Sequence, residues 1–202
     1  MSTKAWLALG GAGAASASAA GGYYAFSSKG ITIKEALKDE QFIPEGDTAQ
    51  WGEEFKSDKE NIKAAIKELS GVDDNDGGIK LRDWCKQKMT LASEKNPQSL
   101  ELVRKYCLIR DLASQLLRTG KNLLTEGSLE SDWKATYTKR KSKANTRGDI
   151  GLAGDSWNET EDLVFIKSWC GTHSEEAFLA SDNNSKYTKL LKWCTKEGAQ
   201  TE

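Results

Sequence analysis

One histidine, two prolines and no closely spaced cysteines are found in 202 residues, and each scarcity narrows what the chain can do. Zinc sites draw on short C-x2–4-C pairs or on mixed Cys/His sets. The four cysteines stand at 85, 107, 170 and 194, and His173 is alone, so such a set is nearly excluded. Neither sign of charge dominates: 29 basic and 30 acidic side chains leave a formal net charge of −1. No global field draws the chain toward nucleic acid, and no nucleic-acid partner is expected. No segment alternates polar and apolar residues over a useful length, so the signature of half-buried strands is missing. G-x-S-x-G and S-x-x-K contexts are missing too. Gly151-Leu-Ala-Gly154 is too short for a phosphate loop and lacks a following Lys-Ser/Thr. Adjacent carboxylates such as Glu53-Glu54 and Glu175-Glu176 diverge on a helix rather than converge on one reacting atom. No cofactor and no metal is expected.

What the chain does contain is a repeated unit. Every cysteine follows an aromatic residue and has an aliphatic residue four positions before it. The copies are Leu81-x-x-Trp84-Cys85, Val103-x-x-Tyr106-Cys107, Ile166-x-x-Trp169-Cys170 and Leu190-x-x-Trp193-Cys194, in a chain with only 8% aromatics. Residues four apart share a helix face, with the third beside them, so each unit lays an aliphatic, an aromatic and a sulfur along one apolar stripe. The units fall into two pairs, separated internally by 22 and 24 residues. Trp51 and Phe55 precede the first pair as Trp133 and Tyr137 precede the second. A fixed internal period points to a duplicated module, here residues 47–120 and 129–202 with a linker at 121–128. Convergent helical patterning is the competing explanation.

Spacings of this length suit two antiparallel helices joined by a short turn, whose inward side chains approach disulfide geometry. The hypothesis pairs Cys85 with Cys107 and Cys170 with Cys194, each bond stabilising the fold by about 3–4 kcal/mol. Four cysteines allow three connectivities, and four buried thiols need no bond at all, so spacing leaves these alternatives open.

The expected fold is all-α: an N-terminal single apolar helix followed by a helical bundle built from two helical-hairpin modules. Thr32-x-x-Glu35 predicts a capping box opening a short helix within 29–46. Periodicity predicts helices over 48–69, 79–93, 97–118 and 130–144. A second capping box, Ser156-x-x-Glu159, opens the helix carrying Cys170. A short helix over 174–180 and a last one ending near Cys194 complete the set.

Residues 5–28 carry no charge. As a helix, Ala5 to Phe26 spans about 33 Å, enough for a bilayer core. Trp6 lies near one end and Tyr23, Tyr24 and Phe26 at the other, where interfacial aromatics belong. A membrane anchor over 1–28, contacting the bilayer through residues 5–26, is therefore expected, with the C-terminal domain outside the cell. Leu7 and Leu9 are its only large aliphatics, and Ala17-Ser18-Ala19 resembles a signal cleavage site. A cleaved leader on a secreted protein and a plain Gly/Ala arm are the alternatives.

Three places invite a functional reading. Lys139, Arg140, Lys141 and Lys143 form the one basic cluster, a candidate contact for anionic glycans or lipid headgroups, set against the plainer reading of a solvated helix face. Cys170 and His173 offer a thiol–imidazole pair, set against a histidine that merely ends a helix. The acidic stretch Val72–Ile79 imitates a calcium loop, but Val72 stands where the first carboxylate is required. An acidic turn at a helix N-terminus accounts for it.

The layout resembles the uncharacterised paralogous proteins of haemotropic mycoplasmas. Those chains are near 200 residues long and begin with a Gly/Ala-rich apolar segment. They continue with an Ile-x-x-x-Leu stretch like Ile33-Lys-Glu-Ala-Leu37 and carry spaced Trp-Cys units. The resemblance implies a membrane-associated or surface-exposed product, a variable antigen meeting a host-cell macromolecule, with no catalytic role. The expectation is a non-enzymatic surface protein. An enzyme with a site near Cys170 and His173, and a scaffold on the inner membrane face, are its rivals. Oligomeric state is left open.

Overall fold

The computed structural model describes residues 30–143 and 146–202. The anchor or signal assigned to 1–28 lies outside the described residues. Among the described residues there are nine α-helices, five 3-10 turns, isolated β-bridges and no strand, so the chain is all-α. None of these helices is long and apolar enough to cross a membrane.

The first half contains α1 (Ile33–Ala36), α2 (Thr48–Ser57), α3 (Lys59–Ala65), α4 (Gly77–Met89) and α5 (Pro97–Tyr106). The second contains α6 (Leu112–Arg118), α7 (Glu130–Lys141), α8 (Glu159–Ser174) and α9 (Ser185–Cys194). The capping box at Thr32 forms as expected: Thr32 Oγ1 accepts from the Glu35 N–H at 3.2 Å, and Glu35 accepts from the Thr32 N–H at 2.7 Å. Asp47 and Asp111 cap α2 and α6 by accepting from the N–H groups of Gln50 and Ser114.

Several helices are shorter than periodicity predicts. The stretch 48–69 breaks at Asp58, which ends α2 and begins α3. The break brings Ile62, Ile66 and Leu69 into the same core as Trp51 and Phe55. The stretch 97–118 breaks after Tyr106, because Leu108 and Ile109 run extended to bond the backbone at 41–43. Helix α8 starts after Asn158 rather than at the Ser156 box, since Asp162 takes the Asn158 N–H at 3.1 Å. In place of a helix over 174–180, α8 runs on to Ser174 and a 3-10 turn follows at Ala180–Asp182. Gly77 and Gly78, read as loop, open α4 instead. A Cβ on Gly77 would lie 2.1 Å from the Phe55 ring, and one on Gly78 would lie 2.7 Å from the Gly52 nitrogen. The two glycines are what let α4 lie directly on α2.

Two hydrophobic clusters result. One gathers Ile33, Trp51, Phe55, Leu81 and Val103 around Cys85 and Cys107. The other gathers Leu112, Trp133, Tyr137, Ile166, Leu190 and Trp193 around Cys170 and Cys194. Ile33 and Leu37, assigned from sequence to the 29–46 linker, belong to the first cluster. Leu112 and Leu116, assigned to the module 47–120, belong to the second. The cores therefore divide near residue 110, some ten residues earlier than the Gly120–Ser128 boundary. Both expected disulfides are present, Cys85–Cys107 and Cys170–Cys194, with Cα–Cα distances of 5.9 and 5.6 Å. All four cysteines are buried.

The same backbone bonds recur in each half. The N–H of Ile33 reaches Leu91 O at 2.9 Å, and that of Leu112 reaches Glu176 O at 2.8 Å. Ser93 N–H bonds Ile31 O, as Phe178 N–H bonds Arg110 O. Ile43 N–H bonds the Cys107 carbonyl at 3.0 Å, and Leu124 N–H bonds that of Cys194 at 2.7 Å. Ile109 N–H bonds Gln41 O, as Lys196 N–H bonds Asn122 O. Each pair of bonds surrounds an isolated bridge, four in all: Thr32–Ala92, Phe42–Leu108, Asp111–Ala177 and Leu123–Thr195. In both halves the second cysteine is thus held by a disulfide on its side chain and by a crossing segment on its carbonyl.

The halves meet through buried polar groups. Glu54 on α2, 3% exposed, forms ion pairs with Arg110 and with Arg118, the latter at 2.6 Å. Gln50 donates to Phe178 O at 3.1 Å and accepts from the Ala180 N–H at 2.7 Å.

Candidate functional site

The basic cluster of α7 does not form one cationic face. Arg140 is 1% exposed and donates to the carbonyls of Gly198 and Thr201. Lys139 and Lys143 both pair with Glu202, whose carboxyl they hold down to about 2. Among the four, Lys141 alone forms neither an ion pair nor a side-chain hydrogen bond among the described residues, and it lines an open cleft of about 690 Å³ with Lys143, Arg147 and Trp157. Sequence reading missed that α7 turns these side chains onto the segment 196–202, because charge spacing carries no information about what packs across it.

Cys170 carries no free thiol, since it is bonded to Cys194. The His173 ring leans on Trp169 at a tilt of 39° with centroids 4.4 Å apart, and its Nδ1 lies 2.5 Å from Glu176 Oε1. Lys186 bonds the other Glu176 oxygen at 2.6 Å. Imidazole and sulfur therefore belong to separate arrangements. In the acidic loop, Asp73 accepts from the N–H groups of Asn75 and Asp76, and Asp74 pairs with Lys59. Among the described residues no group of His, Cys, Asp and Glu side chains is arranged to hold a metal ion.

A buried polar cluster that sequence did not indicate holds the loop before α8. Arg147 grips both oxygens of Asp162, at 2.7 and 3.1 Å, and lies over the Trp157 ring at 4.9 Å. The Tyr137 hydroxyl donates to Asp162 at 3.2 Å. Burial, then the hydrogen bond to Asp162, pushes the Tyr137 hydroxyl up to about 12. Burial raises the Asp162 carboxyl, but Arg147 and the Asn158 N–H outweigh it and hold the group below its usual range. Trp157 stands edge-on to Tyr137 and stacks on Trp193, with the Arg147 guanidinium also over its ring. The cluster is a brace for the loop and offers no open reactive atom.

An apolar concavity lies between the segment 123–126 and α8. It has a volume of about 680 Å³ and is lined by Leu123, Leu124, Trp133, Val164, Cys170 and Gly171, with Glu126, Lys167 and Glu175 at the rim. Val164 is 69% exposed, a large apolar side chain with nothing over it. Lys167 pairs with Glu130 at 2.5 Å, while Glu126 and Glu175 form no ion pair among the described residues. Trp133, 2% exposed, lies beneath the lining, with the Lys167 ammonium 5.9 Å from its ring centroid. No protein-family model, curated protein or solved structure matches the chain.

Proposed function

We propose that the chain is a membrane-anchored, surface-exposed, non-enzymatic protein whose folded part binds a host-cell or neighbouring macromolecule. The observation that carries this reading is the pair of fully buried disulfides, which belong to proteins that fold on the oxidising side of a membrane. They weigh against an inner-face scaffold, where thiols stay reduced. The buried ionisable groups further support a binding role: Glu54, Asp162 and Arg140 are all engaged in holding elements together. The resemblance to surface proteins of haemotropic mycoplasmas points the same way.

The two halves, in this reading, descend from one duplicated module. Matched disulfides, matched aromatic residues on α2 and α7, and the recurring backbone bonds around four bridges support that descent. Residues 5–26 would tether the module to the bilayer. Protease shaving of intact cells tests the proposal. Surface display predicts that the C-terminal region is digested while cytoplasmic markers survive, and a protected C-terminal region would overturn it.

A further inference from the structure

Phe42 and Leu123 hold equivalent places in the two halves, each at the bridge beside the second cysteine. Three residues later come Glu45 and Glu126. Across the gap, Lys86 follows Cys85 and Gly171 follows Cys170. In the first half Lys86 pairs with Glu45 and spans the gap. In the second half Gly171 has no side chain and open space beside its Cα. Glu126 forms no such bridge, since Lys167, the lysine in this groove, pairs with Glu130, and the groove stays open.

Two further groups in the groove lack partners among the described residues. Trp51 donates its indole N–H to Pro44 O at 2.9 Å, whereas Trp133 makes no such bond. The N–H and C=O of Leu123 also bond nothing, because only its neighbours Asn122 and Leu124 pair with the segment at 194–196. An extended segment bonded along one edge, an apolar lining and an unmatched carboxylate are the elements of recognition by strand addition.

We propose that this groove binds an extended peptide of a partner protein. The peptide adds to the free edge at Leu123, lays an apolar side chain between Leu123 and Val164, and points a lysine or arginine at Glu126. A glutamate at that position would meet Glu126 and Glu175 together. The proposal rests on the reading of the chain as a binding module.

The test uses the oxidised full chain and an array of acetylated hexapeptides. These carry Val, Ile, Leu or Phe at positions two and four and Lys at position five, beside a matched array with Glu at position five. Retention on the Lys array and not on the Glu array is expected. Gly171→Lys, which rebuilds the bridge of the first half, should abolish retention, while Gly171→Ser should leave it intact. Glu126→Gln should weaken the best peptide by about two- to fivefold. No retention, equal retention on both arrays, or retention unaffected by Gly171→Lys would each overturn the proposal. Shaving of intact cells can succeed while these results fail, so the two readings are separable.

Discussion

Removing the Cys170–Cys194 bond by the double substitution Cys170→Ala/Cys194→Ala relaxes a loop of 24 residues in the unfolded chain. The loop-closure relation puts the loss at about 3.5 kcal/mol. Because Glu54, Arg110 and Arg118 tie the halves together, the folded part is expected to unfold as one unit. With an unfolding entropy of about 2.1 cal/mol/K per residue over roughly 170 residues, the loss lowers Tm by roughly 10 °C. Were the halves independent, one of two transitions would instead fall by roughly 20 °C, because each has only about half the residues. Differential scanning calorimetry of the oxidised parent and the variant distinguishes these outcomes, and Cys85→Ala/Cys107→Ala provides the matched measurement in the first half. An unchanged Tm would refute the stapling argument, as would rapid labelling of the native protein by a thiol reagent.

The remaining expectations concern packing, charge and pH. Gly78→Ala should destabilise by about 1–3 kcal/mol in urea, because its new methyl meets the backbone of Trp51 and Gly52. Gly171→Ala, in a helix with open space beside it, should stabilise by about 0.8–1 kcal/mol in the same assay. Glu54→Ala leaves Arg110 and Arg118 facing each other without their carboxylate. It should cost about 3 kcal/mol and split the single thermal transition into two. In a spectrophotometric titration, one of the five tyrosines should ionise near 12 rather than near the ordinary value of about 10. Since the folded Tyr137 holds its proton more tightly than the unfolded chain, its contribution to stability is complete below about pH 10. That contribution is lost as pH rises toward 12. Tyr137→Phe should remove the late-titrating signal.

What the sequence made legible was whatever depends on residues close along one helix. The four aromatic-cysteine units, the Thr32 cap and the Trp51/Phe55 and Trp133/Tyr137 pairs all pack where a 3.6-residue period places them. Breaks imposed from outside a helix were not legible. The stop after Tyr106 depends on Gln41 and Ile43 waiting across the core, and the early start at Gly77 depends on the Phe55 ring. That Leu112 and Leu116 join the second core was not legible, because they read equally well as the continuation of α5. The basic run at 139–143 looked like a surface patch, yet its partners lie about 60 residues away in the chain. The groove depends on Gly171 and Glu126 lining it with no bridge between them. Its only trace in the sequence is that Lys86 and Glu45 occupy the matching positions of the other half.

Non-reducing peptide mapping of the native protein tests the central claim most directly. Two folded halves, each closed on its own core, require one linked pair of peptides containing Cys85 and Cys107 and another containing Cys170 and Cys194. A link between Cys85 or Cys107 and either of the other two, or four alkylatable thiols, would contradict the account.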